Sequence, residues 1–249
     1  MGSDFRKQDE SFTEFMKTIA GLLCFVYFLL LGQIPEAAEI GPIKGLVERL
    51  DLRKNKWEKV RKGDSILKDD RIRTGRNSRA ELVFKNKIYL RASSNSEINV
   101  RSLFSDTKDQ DLNVDLTRGT LWTSVLRKLG KKSRVKIRTP VAVMAVKGTQ
   151  FNTVFQPDNE QLEVIVVEGR VEVLPPIQME GPGKIRGPKE ILGPREITRE
   201  EWMAQVSSGE KLILSRKDEK PLIGSAGPDK LGNDWILFNK ERDQVQRNE

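Results

Sequence analysis

Residues 161–173 read Gln-Leu-Glu-Val-Ile-Val-Val-Glu-Gly-Arg-Val-Glu-Val. Two runs rich in β-branched residues, Gln161 to Val167 and Val171 to Val173, are separated by Glu168-Gly169-Arg170. Apolar side chains recurring at every second position lie on one face of an extended strand. Gly169 is free to take a positive φ, so the break reads as a tight hairpin turn. The same period of two runs upstream: Ala80, Leu82 and Phe84 share a face, as do Leu112, Val114 and Leu116, and Val135 with Ile137. Val141 to Val146 is continuously apolar and reads as a strand buried on both faces. No convincing amphipathic helix interrupts this region, so residues 43–174 are expected to form an all-β module.

The texture changes after Leu174. Five of the chain's 11 prolines fall between Pro175 and Pro194, a stretch that contains a repeat of period six beginning at Gly181-Pro182, Gly187-Pro188 and Gly193-Pro194. Proline removes ladder donors, so residues 175–198 read as an extended linker or arm, with a turn of hexapeptide β-helix as the alternative. In residues 199–249, Thr198 followed by Glu201 has capping-box spacing, and Trp202, Met203 and Val206 give a short helix one apolar side, with Gly209 as its stop. Lys211 to Leu214 reads as a returning strand, and the apolar knot Trp235-Ile236-Leu237-Phe238 is expected to dock on the β domain.

Residues 1–38 set the compartment. Ile19 to Leu31 is apolar or small throughout, too short for a span of about 20 residues and within the roughly 7–15 of a signal-peptide core. Met16-Lys17 directly precedes it, which makes Met16 an alternative start to Met1. Arg6, Lys7 and Lys17 lie before the run while Glu36 and Glu39 follow it, an asymmetry that exports what comes after. Cleavage after Ala38 or Ala37 puts Glu36 or Pro35 at the −3 position, so an uncleaved membrane anchor stays open beside a signal peptide. The expected location is the periplasm, free or anchored in the inner membrane.

Composition narrows the chemistry. The chain has no histidine and one cysteine, Cys24, inside the apolar run, which removes Ser-His-Asp and Cys-His nucleophiles and the usual zinc sites. No phosphate-cradling glycine motif is present, and Asp64, Asp69 and Asp70 lack the alternate spacing of a calcium loop. No catalytic residue, cofactor or metal is expected. The net charge of +8 becomes more positive once residues 1–38 are set aside, and an exported basic protein meets anionic envelope polymers and lipid head groups before it meets nucleic acid.

A set of small motifs runs through the β region: Asp70-Arg71-Ile72-Arg73-Thr74-Gly75, Leu116-Thr117-Arg118-Gly119, Arg138-Thr139-Pro140, Lys147-Gly148-Thr149-Gln150-Phe151 and Glu168-Gly169-Arg170-Val171. Their order and spacing, over roughly residues 43–174, resembles the FecR domain of bacterial envelope proteins. The resemblance implies an all-β extracytoplasmic domain, solenoid-like or sandwich-like, which in the best-known members relays a signal from an outer-membrane receptor to a cytoplasmic sigma factor. Those regulators carry a cytoplasmic anti-sigma domain before their span; residues 1–18 are shorter than that, so the expectation is the module without the regulator. Thr74, Gly75, Gly119, Thr139, Pro140, Gly148, Thr149, Phe151, Glu168 and Gly169 read mainly as structural: the glycines at turns or bulges, Thr139-Pro140 at a strand start, Phe151 as a core plug.

The most polarised segment contains Arg127, Lys128, Lys131, Lys132, Arg134, Lys136 and Arg138 with no acid among them. It reads either as a charged edge strand that blocks sheet-to-sheet aggregation or as an anion-binding stripe. The expected function is a non-catalytic envelope module that binds a protein or an anionic glycan or lipid head group. The alternative is a membrane-anchored signalling component whose cytoplasmic regulator is on another chain.

Overall fold

The computed structural model describes residues 38–52, 54–103, 112–127, 129–130, 134–176 and 203–248. These form seventeen strands and two helices: β1 (Ala38–Lys44), β2 (Val47–Asp51), β3 (Lys56–Lys59), β4 (Ser65–Ile66), β5 (Arg71–Thr74), β6 (Arg79–Phe84), β7 (Ile88–Ala92), β8 (Glu97–Ser102), β9 (Leu112–Val125), β10 (Val135–Arg138), β11 (Val143–Val146), β12 (Gln150–Gln156), β13 (Gln161–Glu168), β14 (Arg170–Leu174), β15 (Ala204–Ser207), β16 (Glu210–Ser215), β17 (Leu222–Ser225), α1 (Gly227–Leu231) and α2 (Asp234–Asn248). The fold is all-β, as the alternation requires.

The strands sort into two sheets joined through β9. The first runs β4-β1-β6-β7-β9-β12-β13-β16-β17 and is antiparallel throughout. The second runs β3-β2-β5-β8-β9-β10-β11-β14-β15, antiparallel except where β9 meets β10. Leu112 to Arg118 pairs in the second sheet and Gly119 to Val125 in the first, so one long strand serves both. The inward side chains of the two sheets make one core: Leu82, Leu90, Phe151 and Val164 from the first, with Ile98, Leu116, Ile137 and Val171 from the second. Each such burial stabilises the fold by about 1.5–3 kcal/mol relative to an exposed side chain, so the shared core holds the sheets face to face.

Chain corners explain the sharpest local sequence features. Gly119 has φ of 90°, and a Cβ there would stand 2.5 Å from Ser96 Cα, so only glycine lets β9 cross between sheets at that point. Gly169 has φ of 85° and marks a second crossing, from β13 in the first sheet to β14 in the second. The expected hairpin is therefore absent: β13 pairs with β12 and β16, β14 with β11 and β15, and the Glu168-Gly169-Arg170 break turns the chain from one layer to the other. Local spacing could not separate these outcomes, because both need the same positive φ.

Two further expectations are corrected. Thr139-Pro140 does not start a strand; it sits in the turn between the antiparallel pair β10 and β11, where Thr139 N donates to Ala142 O at 2.9 Å and Ala142 N donates to Thr139 Oγ1 at 3.2 Å. The chain does carry a helix toward its C-terminus, at Asp234–Asn248, while the described end of the expected one, Ala204 to Val206, is strand. Ala204 and Val206 are buried at a spacing of two in β15, which extends the second sheet, and Gly209 turns the chain into β16 with φ of 81°. The helix cap at Thr198, the linker repeat and the apolar run Ile19–Leu31 lie outside the described residues.

Candidate functional site

Helix α2 crosses the outer face of the first sheet. Asn233 Oδ1 accepts from Ile236 N at 2.9 Å and caps its start. Ile236, Asn239, Asp243 and Gln246 recur at helical spacing and are buried, so the stripe facing the sheet is one apolar residue and three polar ones. Ile236 packs with Trp122, Ile165 and Ala226. Trp235 Nε1 donates to Asn152 Oδ1 at 3.0 Å, and the Arg79 guanidinium lies 4.1 Å from the Phe238 ring centre. The apolar knot thus docks as expected except at Leu237, which stays exposed.

The polar stripe closes on a charged cluster. Arg91 Nε donates to Glu81 Oε2 at 2.5 Å and Arg91 Nη1 to Asp243 Oδ1 at 2.6 Å; its Nη2 donates to Gln246 Oε1. Arg242 donates twice to Glu81, at 3.0 and 3.2 Å, and Gln246 Nε2 donates to Glu81 Oε1 at 3.0 Å. Trp122 Nε1 donates to Asp243 Oδ2 at 3.0 Å. Two guanidiniums thus balance two carboxylates, and Arg91, Glu81 and Asp243 are almost wholly removed from solvent. Burial alone would raise Glu81, but hydrogen bonds and charge from Arg242 and Arg91 outweigh it and hold its carboxyl below the ordinary value. For Asp243 burial wins over the single nearby arginine, Arg91, and pushes the carboxyl up. Sequence reading missed this cluster. Glu81 and Arg91 lie on the polar side of their strands, which alternation assigns to solvent, and the signal available was a charged residue within Ile88-Tyr89-Leu90-Arg91-Ala92.

The outer face of the second sheet carries charged pairs in the open. Arg73 pairs with Glu48 at 2.8 Å and Arg49 with Asp70 at 3.5 Å. Glu97 lies between Arg71 at 2.5 Å and Arg118 at 3.7 Å, and Asp115 between Arg101 at 2.5 Å and Arg138 at 2.8 Å. Arg73 also stands 4.1 Å from the centre of the Trp57 ring.

The basic segment singled out in the sequence falls partly on this face. Arg134 lies beside the start of β10, and Lys136 and Arg138 lie within it. That strand is interior, between β9 and β11, with Val135 and Ile137 in the core, so the edge-strand reading does not hold. Arg138 pairs with Asp115, Arg134 reaches Glu172 at 3.8 Å, and Lys136 is engaged as well. Arg127 is exposed beyond β9, while Lys128, Lys131 and Lys132 lie outside the described residues.

The motif residues hold corners. Thr74 Oγ1 donates to Ser93 O at 2.5 Å and accepts from Ser96 N at 3.0 Å, while Gly75 N donates to Leu46 O at 2.9 Å. Thr149 Oγ1 donates to Arg170 O at 2.9 Å, tying the Gly148 loop to the Gly169 crossing, and a Cβ on Gly169 would meet Gly148 O at 2.7 Å. Phe151 is fully buried. Glu168 pairs with Arg247 of α2. Asp64 and Asp70 accept from Arg61 N and Leu67 N, both at 2.8 Å, closing turns.

A two-sheet β module whose motif residues lock its corners is the class of protein this geometry defines. Residues 70–172 match the family described as FecR protein, the family that the motifs resemble. Two crystal structures of a proposed anti-sigma factor from Parabacteroides distasonis ATCC 8503, at 2.50 and 1.65 Å resolution, are similar at 15% sequence identity with a TM-score of 0.47. Each comparison covers 65% of this chain and 62% of theirs, so the chain spans less than two thirds of their length. No curated protein matches the sequence. No helix among the described residues is long and apolar enough to cross a membrane.

Proposed function

We propose that this chain is a non-catalytic FecR module of the bacterial envelope that acts by binding a protein partner. The observation that carries this reading is the coincidence of the FecR match, residues 70–172, with a core whose motif residues all serve corners and packing. Recognition then falls to the outer faces of the sheets. The apolar run Ile19–Leu31, with basic residues before it and acidic residues after, supports export. The unfavourable −3 residues for cleavage, Glu36 or Pro35, favour a second reading in which the chain stays anchored in the inner membrane as part of a signalling pathway.

One experiment tests both. The chain is expressed with a C-terminal tag in a double-membrane bacterium, cells are fractionated, and the N-terminal residue of the product is determined. A soluble periplasmic product starting near Ala38 or Glu39 supports the free module, and an intact N-terminus in the membrane fraction supports the anchored one. A cytoplasmic product overturns both. The basic residues Arg127, Lys128, Lys131 and Lys132 are the candidate contact with anionic envelope material. Replacing them with Gln should abolish salt-sensitive binding to vesicles containing anionic lipid, and unchanged binding removes that role.

A further inference from the structure

Two depressions of about 390 and 300 Å³ lie on the outer face of the second sheet and share Thr117 as a wall. The first is bounded by Leu52, Asp69, Arg71, Glu97 and Arg101. The second is bounded by Asp115, Arg138, Pro140, Val143 and Pro176. Together they run across strands β5, β8, β9, β10 and β11. Four strand spacings of about 4.8 Å make a path of roughly 19 Å, the length of about six residues of extended peptide. Helix α2 packs on the other sheet, and the Arg71, Arg101 and Arg118 side chains here are 42%, 49% and 50% exposed.

The charge along this path is unequal. Four guanidiniums, of Arg71, Arg118, Arg101 and Arg138, face three carboxylates, of Asp69, Glu97 and Asp115. Glu97 and Asp115 are the more buried partners of their pairs, at 15% and 16% exposure, so the arginines project past them. A guanidinium carries five N–H donors, and one carboxylate neighbour leaves donors for another. The ends of the path carry apolar side chains, Leu52, 63% exposed, in the depression that Asp69 also lines, and Pro140, Val143 and Pro176 at the other.

We infer that this groove binds an extended acidic segment of a protein partner, with carboxylates at alternate positions meeting Arg71, Arg101 and Arg138, and apolar side chains at the flanks. This rests on the reading of the chain as a partner-binding module. Among anionic occupants the geometry favours a peptide. Apolar ends give a uniformly charged polysaccharide nothing to contact, and a concave path does not follow a flat lipid surface.

The test pans a random dodecapeptide library against the full chain and remeasures one enriched peptide, fluorescently labelled, by anisotropy. Enriched sequences should carry Asp or Glu at alternate positions between apolar residues. The double variant Arg71→Gln/Arg101→Gln should bind the peptide about tenfold or more weakly, as should the wild type with the peptide's acids changed to amides. Both acids keep their second arginine in that variant, so its melting temperature should stay close to wild type. Thr117→Trp, which fills the shared wall without touching a charge, should weaken binding as well. Enriched peptides without acids, or binding that survives both variants, overturns the proposal. Arginine-dependent binding of anionic vesicles or of a polyanionic polysaccharide, with no acidic peptide enriched, overturns the occupant. Fractionation to the cytoplasm would instead overturn the envelope reading, so the two failures are distinguishable.

Discussion

On the outer face of the first sheet, Arg91 and Arg242 close on Glu81 beneath α2; on the second, Arg71 and Arg118 bracket Glu97 in contact with water. The groups and the close distances are alike, and the surroundings are opposite. Under the helix Arg91, Glu81 and Asp243 have given up hydration, so the cluster is stable only while each of them keeps its partners. On the open face water screens each pair, and the guanidiniums keep free donors for another molecule. The same chemistry therefore fastens a helix on one side and offers a binding surface on the other.

Removing one partner from each cluster breaks the comparison most directly. Arg91→Met leaves Asp243 without its guanidinium and Glu81 with one of two, and should cost about 3–5 kcal/mol in urea unfolding. A loss under about 1 kcal/mol would show that water reaches the cluster. Gly119→Ala, at the crossing both sheets depend on, should cost about 1–3 kcal/mol from backbone strain, with the contact to Ser96 Cα adding to it. Gly209→Ala has a similar φ and nothing within 4 Å, so it should show the strain alone and a smaller loss in the same assay.

The pH dependence of stability comes next in size. Asp243 is raised in the folded protein, so the folded state binds more protons than the unfolded one between the ordinary carboxylate value and the raised one. Its contribution is present at and below the ordinary value and is lost as pH rises through the raised one. Glu81 is lowered and has the opposite sign: its contribution is present above the ordinary value and is lost as pH falls through the lowered one. Urea midpoints should therefore rise as pH falls from neutral toward about 4, then fall in stronger acid. Asp243→Asn should remove the rise and keep the fall. The smallest effect belongs to the open face: Arg71→Gln should change stability by about 0–1 kcal/mol. A loss comparable to that of Arg91→Met would mean the second face is no more exposed than the first.

Much of the β domain was legible because burial on one face of a strand imposes a period of two. Leu112, Val114 and Leu116 could be placed inward from their spacing, and all are buried. The positive φ at Gly169 was also legible, and Gly119 was legible as a turn or bulge position, since glycine takes such backbone without strain. Where the chain went after Gly169 was not, because alternation states which face a residue occupies and is silent about which strand lies beside it. Helix α2 escaped for a related reason. Its buried stripe, Ile236, Asn239, Asp243 and Gln246, is mostly polar, so a search for apolar residues at helical spacing passes over it.

The candidate sites divide in the same way. The basic residues near β10 stood out because they cluster in sequence, but their pairing with Asp115 and Glu172 depends on strand order. Arg91 and Asp243 are separated by 152 positions, and nothing local to either announces the other. The amino-acid sequence by itself determined the strand content, the inward faces and the corners that only glycine can turn, because these follow from side-chain period and backbone sterics. The tertiary structure alone decided which charges are buried and which remain open, because desolvation is set by what packs above a side chain, and here that is a helix more than a hundred residues away in the chain.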